Sequence, residues 1–458
     1  MPISSLPSPY GIGTFGKSAE QFADFLHNAG QTYWQILPLG QTGYGNSPYS
    51  SVSAFAGNPL FIDLDQLIEY GFLTRQETEK IDWGADPQQV DYGKVAAGRE
   101  ILLAAAEQRA RDTLRGEIEE FRNENSRWLL PYARYMKERK GWEEELSYFI
   151  QYMFFFQWNR LKTYVNSLGI RIIGDIPIYV PMDSVDFLEE PELFRLDSDR
   201  RPAWVAGVPP DYFSEEGQLW GNPVYDFDRM KKNGYEWWIR RIGSAARLYD
   251  VIRIDHFRGL ESYWAIPAGA ESAKCGHWEK GPGMDLVGTL TGWFSDTEFI
   301  AEDLGILTPQ VRTLIKESGI PGMTVLEFAF SPDEESNYLP HNLIPHSVCY
   351  TGTHDNAPVN QWKEMIPKRE LEYAMKYLDA RDESEICERM IRAGMGSVAE
   401  LFIVQMQDWL GLGEGSRTNE PGTVGGNWSW RMLPDAADCR LSDRIRDITA
   451  TYRRIVQA

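Results

Sequence analysis

Residues 249–255 read YDVIRID, an apolar run that follows a helical pattern and ends in an aspartate. The run is mostly apolar rather than cleanly alternating, which is typical of a parallel strand covered on both faces. The same order of helical pattern, apolar run and polar loop recurs along the chain. It predicts further strands at 33–39, 169–175, 298–302, 323–328, 347–351 and 401–405, and the last of these segments could instead be helical. Helices that alternate with strands indicate βα units around a parallel sheet.

Seven predicted strands are one short of a (β/α)8 TIM barrel, the α/β fold that this pattern predicts. The missing strand would come first, because residues 1–5, MPISS, look like the tail of a strand whose body is lost. We therefore expect a barrel with helical insertions between strands and a first strand truncated at the N-terminus. A doubly wound sheet is the competing arrangement.

Two insertions interrupt the pattern. Residues 63–145 contain long helical stretches rich in Ala, Glu and Arg, and we predict a helical insertion subdomain there. Residues 181–232 are dense in Pro, Gly and aromatic residues and are too long for an ordinary βα loop, and loops of that length are usually functional. The barrel would then begin in residues 1–62 and continue through residues 146–458, including the 181–232 loop.

Composition excludes several classes of protein. The net charge of −21 argues against a nucleic-acid partner, because such binding depends on basic residues that neutralise phosphates. The cysteines and histidines show no metal-ligand or redox spacing, so we expect reduced thiols and no metal. No secretory leader and no apolar stretch approaching ~18 residues is visible, which predicts a cytoplasmic protein without a membrane partner.

Acidic residues stand at the ends of four predicted strands: Asp175, Asp255, Glu302 and Asp355. The C-terminal ends of barrel strands surround the active site, so these carboxylates would converge on one pocket. A single aspartate after a strand is more often a helix N-cap than a catalyst. Four such residues together favour a functional pocket.

Paired carboxyl groups suit glycosidic chemistry, in which one is the nucleophile and the other is the acid on the leaving oxygen. Arg253 lies two residues before Asp255 and would share its face of the strand, where its guanidinium would keep Asp255 ionised. Glu302 follows an apolar run, and less polar surroundings would raise its pKa toward that of a general acid. Taken alone, Arg253 is equally well explained as a structural ion pair.

Seven segments carry a family resemblance, and they occur in the right order over nearly the whole chain. They are LPLGQTGYGNSPYSSVSAFAGNP, GDIPIYV, VAGVPPDYFSEEGQLWGNPVYDF, RIDHFRG, AEDLG, YTGTHDN and GNWSWR. They closely resemble the 4-α-glucanotransferases, the amylomaltase or disproportionating-enzyme family of the α-amylase clan. The resemblance implies a (β/α)8 barrel and transfer of α-1,4-glucan segments between maltooligosaccharides, without a cofactor.

The resemblance also implies roles for individual residues. Asp255 would be the nucleophile of a covalent glycosyl-enzyme, Glu302 the acid/base, and Asp355 the carboxylate that binds the sugar's 2- and 3-hydroxyls. A further set would bind substrate: Tyr49 as an aromatic platform, Asp175, Arg253 and His354 around the donor sugar, Asp211, Tyr212 and Phe213 in a lid over the acceptor, and Trp220 and Asn427 along the groove.

The chain departs from the family pattern at three places. The strand of the type SGVL that normally precedes the SLPSPYGIG segment is absent, Gln41 replaces a proline, and Ala357-Pro358-Val359 follows the THDN segment, where a threonine is common. Two other functions remain open, an α-glucan hydrolase with the same carboxylates and a non-catalytic glucan-binding protein. The lid favours transfer, because a transferase must exclude water and hold the acceptor.

Overall fold

The structure is a computed structural model that describes residues 1–210, 215–305 and 307–455. Within these residues the chain forms eleven strands: β1 (Tyr33–Gln35), β2 (Arg171–Ile176), β3 (Trp204–Val208), β4 (Gln218–Pro223), β5 (Val251–Ile254), β6 (Ser262–Pro267), β7 (His277–Lys280), β8 (Glu298–Ala301), β9 (Gly322–Val325), β10 (Ser347–Tyr350) and β11 (Leu401–Ile403).

The same residues form seventeen α-helices: α1 (Lys17–Asn28), α2 (Leu64–Glu69), α3 (Arg75–Glu79), α4 (Tyr92–Ala110), α5 (Arg115–Glu124), α6 (Ser126–Lys140), α7 (Glu144–Ser167), α8 (Val185–Glu189), α9 (Phe227–Lys232), α10 (Glu236–Leu248), α11 (Met284–Trp293), α12 (Pro309–Ser318), α13 (Val359–Met365), α14 (Lys368–Leu378), α15 (Ile386–Met395), α16 (Met406–Trp409) and α17 (Cys439–Thr451). None of them is long and apolar enough to traverse a lipid bilayer.

The seven strands predicted from the sequence form one parallel sheet in the order β1-β2-β5-β8-β9-β10-β11. Sheet neighbours follow chain order throughout, whereas the strand order of a doubly wound sheet reverses at a switch point. The sheet is therefore a nearly closed seven-stranded barrel, which confirms the predicted fold and excludes the doubly wound alternative. No pairing joins β11 to β1 among the described residues.

Alternation along the strands separates two apolar layers. Side chains that point into the barrel form a buried cluster that includes Ile173, Val251, Ile300 and Tyr350. The residues between them, such as Ile172 and Ile252, point outward into the larger core beneath the helices. Strands covered on both sides must be apolar at nearly every position, which explains the continuous runs in the sequence.

The N-terminus lies beside β1, but residues 1–5 do not form a strand. Ile3–Ser5 is a 3-10 helix, because the backbone N–H groups of Ser5 and Leu6 donate back to Pro2 and Ile3. Met1 alone takes a strand-like position, where its amino group donates to the carbonyl oxygen of Gln35 at 3.1 Å. The expectation that this segment is the tail of a strand is wrong beyond Met1.

Helices α2 to α6 lie between β1 and β2, in the region predicted to be a helical insertion. Leu102 and Leu103 of α4 and Tyr132 and Met136 of α6 are fully buried, and they belong to the same core cluster as Phe149 of α7. The insertion therefore shares a continuous core with the barrel. The division of the chain into barrel and insertion subdomain, with boundaries after residues 62 and 145, stays a prediction.

A second, antiparallel sheet stands after the C-terminal ends of the barrel strands, in the order β4-β3-β6-β7. Strands β3 and β4 belong to the predicted 181–232 insertion, and β6 and β7 follow β5. Trp204 pairs with Pro267 and Gly207 pairs with Trp264, so two loops from different strands form one sheet. This sheet was not predicted from the sequence.

Candidate active site

The register of the barrel brings Asp175 and Arg253 together. They are direct partners on β2 and β5, and both side chains are buried in the barrel interior. Arg253 Nη1 lies 2.5 Å from Asp175 Oδ2 and 3.1 Å from Asp255 Oδ1. The guanidinium is therefore shared between two carboxylates, with the shorter contact to Asp175.

Asp255 and Glu302 follow neighbouring strands at the same level. Ile254 on β5 is the partner of Ala301 on β8, and the N–H of Glu302 donates to the carbonyl oxygen of Ile254 at 3.1 Å. Each carboxylate comes one residue after this pair. Because neighbouring strands lie ~4.8 Å apart, this register places the two carboxyl groups next to each other.

Backbone N–H groups hold the Glu302 carboxyl group from two sides. Its Oε2 accepts from the N–H of His256 at 2.7 Å, and its Oε1 accepts from the N–H of Leu304 at 2.8 Å. His256 has φ +49°, in the left-handed region that is costly for most side chains but is populated by histidine more often than by most residues. Strain at this position is consistent with a function in which the amide must point at Glu302.

Asp355 is half-exposed and is held through one of its two oxygens. Asn419 Nδ2 donates to Asp355 Oδ1 at 2.7 Å, and His354 Nε2 lies 3.3 Å from the same oxygen. Arg417 donates to the Asp355 carbonyl oxygen at 2.7 Å. No described residue donates to Oδ2, so that oxygen is available to a ligand.

Tyr49, His354 and Trp428 form an aromatic platform beside the carboxylates. The rings of Tyr49 and His354 stack with centroids 4.9 Å apart, and Trp428 lies 5.8 Å from each. Tyr49 donates its hydroxyl proton to Asp175 Oδ2 at 2.7 Å. The platform and the carboxylates are therefore one connected unit through Asp175.

The remaining predicted residues fall in three places. Trp220, on β4, packs its ring against His256 at 4.8 Å and is 37% exposed, so it forms an open aromatic wall near Glu302. Asn427 lies in the predicted loop, but its side chain contacts Glu420 and Thr423 within that loop. Its neighbour Trp428 faces the site instead. The predicted lid residues Asp211, Tyr212 and Phe213 lie outside the described residues.

Sequence reasoning missed Asn419, Arg417 and Trp428. Asn419 lies 64 residues after Asp355 in a loop without periodicity, so no sequence pattern indicated its contact. Trp428 stands in the GNWSWR segment, directly after the predicted residue Asn427. Its φ of +64°, like that of the two glycines before Asn427, shows that the loop is folded to present this ring.

Burial dominates the electrostatics of the carboxylates. It raises the pKa of Glu302, and it raises the pKa of Asp255 well above its ordinary value, although Arg253 opposes both shifts. The expectation that the Arg253 guanidinium keeps Asp255 ionised is wrong in this structure, because burial of Asp255 outweighs the opposing charge of Arg253 and raises the pKa of the carboxyl group. Both Asp255 and Glu302 therefore retain their protons to higher pH than isolated carboxyl groups do.

The two histidines of the site are neutral. Burial lowers the pKa of His256 to about 3 and lowers that of His354, which the charge of Asp355 only partly offsets. The proton-transfer chemistry of the described site therefore resides in its carboxyl groups. Within the described residues no three His, Cys, Asp or Glu side chains are arranged to hold a metal ion.

Two adjacent carboxyl groups in different surroundings, at the C-terminal mouth of a βα barrel, are the arrangement that enzymes acting on glycosidic bonds use. A sequence model of the family described as 4-alpha-glucanotransferase matches residues 1–145 and 136–436. The chain belongs to the 4-α-glucanotransferase family.

Individual relatives agree with this assignment. The 4-alpha-glucanotransferase of Streptococcus pneumoniae serotype 4 is 44% identical over 489 residues, which cover 99% of this chain and 96% of that protein. The enzyme of the same name from Clostridium butyricum is 43% identical over 485 residues, with 99% and 100% covered. The structure of amylomaltase from Streptococcus agalactiae in complex with acarbose superimposes with a TM-score of 0.95 at 38% identity, with 99% and 98% covered.

Proposed function

We propose that this protein is a cytoplasmic, retaining 4-α-glucanotransferase that moves α-1,4-glucan segments between maltooligosaccharides. The observation that carries the proposal is the position of Asp255 beside Glu302 on adjoining strand ends, with Arg253 below Asp255 and two backbone N–H groups on Glu302. Residues on adjoining strand ends can bring their carboxyl groups to the ~5–5.5 Å separation that retention requires.

In the first step, a carboxylate oxygen of Asp255 attacks C1 of the donor sugar. The bond from C1 to the glycosidic oxygen breaks, and that oxygen takes the proton of Glu302 and leaves with the departing chain. The product is a glycosyl ester on Asp255. The raised pKa of Glu302 supplies the protonated acid, and the charge of Arg253 opposes protonation of Asp255, the nucleophile.

In the second step, Glu302 takes the proton of an acceptor hydroxyl group, whose oxygen attacks C1. The ester bond to Asp255 breaks, which restores its carboxylate and the proton of Glu302. Two inversions at C1 retain the α configuration. The number and type of glycosidic bonds are unchanged, so only chain lengths change.

Substrate contacts follow from the side chains around this pair. Asp355 Oδ2 accepts from two adjacent sugar hydroxyl groups, and the Tyr49 ring packs against the apolar face of the donor sugar. Three residues hold these groups in position around the donor sugar: Asp175 accepts from Tyr49, Arg253 contacts Asp255, and His354 contacts Asp355. Trp220 and the 211–213 segment bind the acceptor, which favours transfer over hydrolysis because they displace water.

The test is incubation with maltotriose and separation of the products by chain length. Transfer yields glucose and a ladder of longer oligosaccharides. Maltose and glucose without longer products indicate a hydrolase, and no turnover indicates a glucan-binding protein. Asp255→Asn serves as the control for contaminating activity, because it removes the nucleophile and preserves the shape of the side chain.

A further inference from the structure

The loop that carries Asp355 runs from the end of β10 to the start of α13, over residues 351–358, and we call it the Asp355 loop. Its two ends are held by one carboxyl group. Asp408, which is 2% exposed, accepts from the Thr351 hydroxyl group at 2.7 Å and from the N–H of Val359, the first residue of α13, at 2.8 Å. These contacts fix where the loop begins and ends, but not the turn in its middle.

A chain of hydrogen bonds holds the middle of the loop. Asn356 Oδ1 accepts from both the N–H and the hydroxyl group of Thr353, each at 2.9 Å. The same hydroxyl oxygen accepts from the N–H of Asp355 at 3.3 Å. Because Asn356 Oδ1 already accepts two hydrogen bonds, the side-chain NH2 of Asn356 is the group left to tie the turn to the rest of the protein.

Glu327 is the partner of that NH2 group. It stands just past the end of β9, and its own N–H donates to the Thr351 carbonyl oxygen at 3.2 Å. Its carboxyl group accepts from the Asn356 side chain. A continuous chain of hydrogen bonds therefore runs from Glu327 through Asn356 and Thr353 to the backbone of Asp355.

The Glu327 carboxyl group is closely enclosed. Glu327 is 7% exposed, and its Oε1 has no hydrogen-bond partner among the described residues. Gly352 makes room for this oxygen, because a Cβ added at that glycine would lie 2.8 Å from Glu327 Oε1 and 2.7 Å from Gln405 Nε2. A buried polar atom without a partner costs free energy, so its presence in a native structure calls for an explanation.

We propose that Glu327 is a positioning residue for Asp355. Through Asn356 it holds the Asp355 loop in the geometry that presents Asp355 Oδ2 to the sugar, and it acts through the loop rather than on the substrate. This inference rests on the proposed function, in which Asp355 binds the sugar's hydroxyl groups.

The surroundings of Glu327 favour its protonated form. Burial raises the pKa of its carboxyl group well above the ordinary value, and the charge of Asp408 on α16 raises the pKa further. The charge of Arg417, in the loop after α16, and the hydrogen bond from Asn356 oppose the shift. Glu327 therefore keeps its proton to higher pH than an exposed glutamate does, and a protonated glutamate has the shape and neutrality of a glutamine.

The first experiment compares Glu327→Ala with Glu327→Gln by the initial rate of glucose release from maltotriose. The alanine variant leaves the Asn356 NH2 group without its buried partner. We expect kcat to fall roughly tenfold, because a displacement of ~1 Å by a distant substitution costs up to ~10²-fold. The glutamine variant can still accept from Asn356, so its kcat should stay within about twofold of the unmodified protein.

The matched control is Glu107→Ala. Glu107 is 6% exposed and pairs with Arg111 on α4 of the helical insertion, so its loss should lower the melting temperature without lowering kcat. Gly352→Ala is a second perturbation, because its Cβ displaces the Glu327 carboxyl group without removing it. It should reproduce the loss of kcat, and it keeps the proposal testable if Glu327→Ala does not fold.

A double-mutant cycle separates positioning from general weakening of the structure. In an Asp355→Ala background, Glu327→Ala should change the rate by less than about twofold, because the group that it positions is gone. Additive losses overturn the proposal. Equal losses for Glu327→Gln and Glu327→Ala also overturn it, as does a loss for Glu327→Ala no larger than that for Glu107→Ala.

The proposed function fails separately from this inference. Glucose release reports on Asp355 whether the acceptor is a sugar or water, whereas the absence of longer products from the unmodified protein refutes transfer alone. Calorimetric titration of maltotriose into Asp255→Asn proteins gives the same comparison without turnover. There, weaker binding for Glu327→Ala but not for Glu327→Gln supports the proposal, and equal binding by the two variants overturns it.

Discussion

The hydrogen bond from Asn419 to Asp355 allows the most specific prediction. Asn419→Ala removes the donor at 2.7 Å from Asp355 Oδ1 and leaves His354, at 3.3 Å, as the one remaining contact of that oxygen among the described residues. A hydrogen bond to a charged group contributes ~1.5–3 kcal/mol, equivalent to about 10- to 150-fold in a rate constant. Because the Asp355 side chain is 47% exposed, water replaces part of this bond and we expect the lower end, about tenfold.

The loss should appear mainly in kcat, because the role proposed for Asp355 is to keep Oδ2 aimed at the sugar as the ring distorts. The assay is the initial rate of glucose release from maltotriose over a range of concentrations, with the melting temperature measured in parallel. Asn360→Ala is the matched control, since Asn360 also donates through Nδ2, to the Gly411 carbonyl oxygen at 2.9 Å, without contacting a carboxylate. If both variants lose kcat equally, or if Asn419→Ala loses less than about twofold, Asn419 does not position Asp355.

Three further predictions concern Glu302, the buried carboxyl group of Asp408 and the exposed ring of Trp220. Glu302→Gln should lower kcat by roughly 10²- to 10⁴-fold and accumulate a glycosyl-enzyme, and a peptide map that places the adduct anywhere except Asp255 would refute the assigned roles. Burial raises the pKa of Asp408 to about 6, so the folded state binds more protons than the unfolded state between about pH 4 and 6. The free energy of unfolding should therefore fall by up to about 3 kcal/mol as pH rises through that window, and Asp408→Asn should flatten the profile in urea titrations; an unchanged slope contradicts this. Trp220→Ala removes an exposed ring that packs on His256 and should raise the acceptor KM by about 2- to 10-fold and increase the share of hydrolysis, whereas an unaltered ratio of longer products to glucose would remove Trp220 from the acceptor site.

The barrel was predictable because its strands are buried on both sides. Short, continuous apolar runs between helical patterns are typical of buried parallel strands, and all seven runs became strands of the parallel sheet. The second sheet was not predictable in the same way. Its strands β4 and β7 are mostly half-exposed or exposed, so they lack an apolar run, and their partners come from another loop.

The site was predictable where a residue's position follows from its strand. Asp175, Arg253, Asp255 and Glu302 stand at or just past strand ends, so the register alone brings them together. Contacts made by irregular loops were not predictable. The turn that brings Trp428 to the platform and keeps the Asn427 side chain within its own loop depends on backbone angles that the sequence suggests only through its glycines.

The direction of the pKa shift of Asp255 could not be predicted from the sequence either. Placing Arg253 two residues before Asp255 suggested a simple pair, but the parallel register places Asp175 closer to the same guanidinium. Several carboxylates then compete for one cation in a buried setting, and burial decides the direction of the shifts. Such competition depends on which strands are neighbours, which a single segment does not reveal.

Strands β3 and β6 belong to two loops that leave different barrel strands, yet they share one hydrogen-bonded register. A one-residue insertion in either strand would turn every following side chain of that strand to the opposite face of the sheet. An insertion near the start of β6, for example, would move Trp264 to the other face and out of register with Gly207. The lengths of the two loops are therefore constrained together, because each loop must keep its register with the other. We expect changes in glucan preference to arise there by exchange of side chains at fixed length, while the other loops at the mouth remain free to lengthen or shorten.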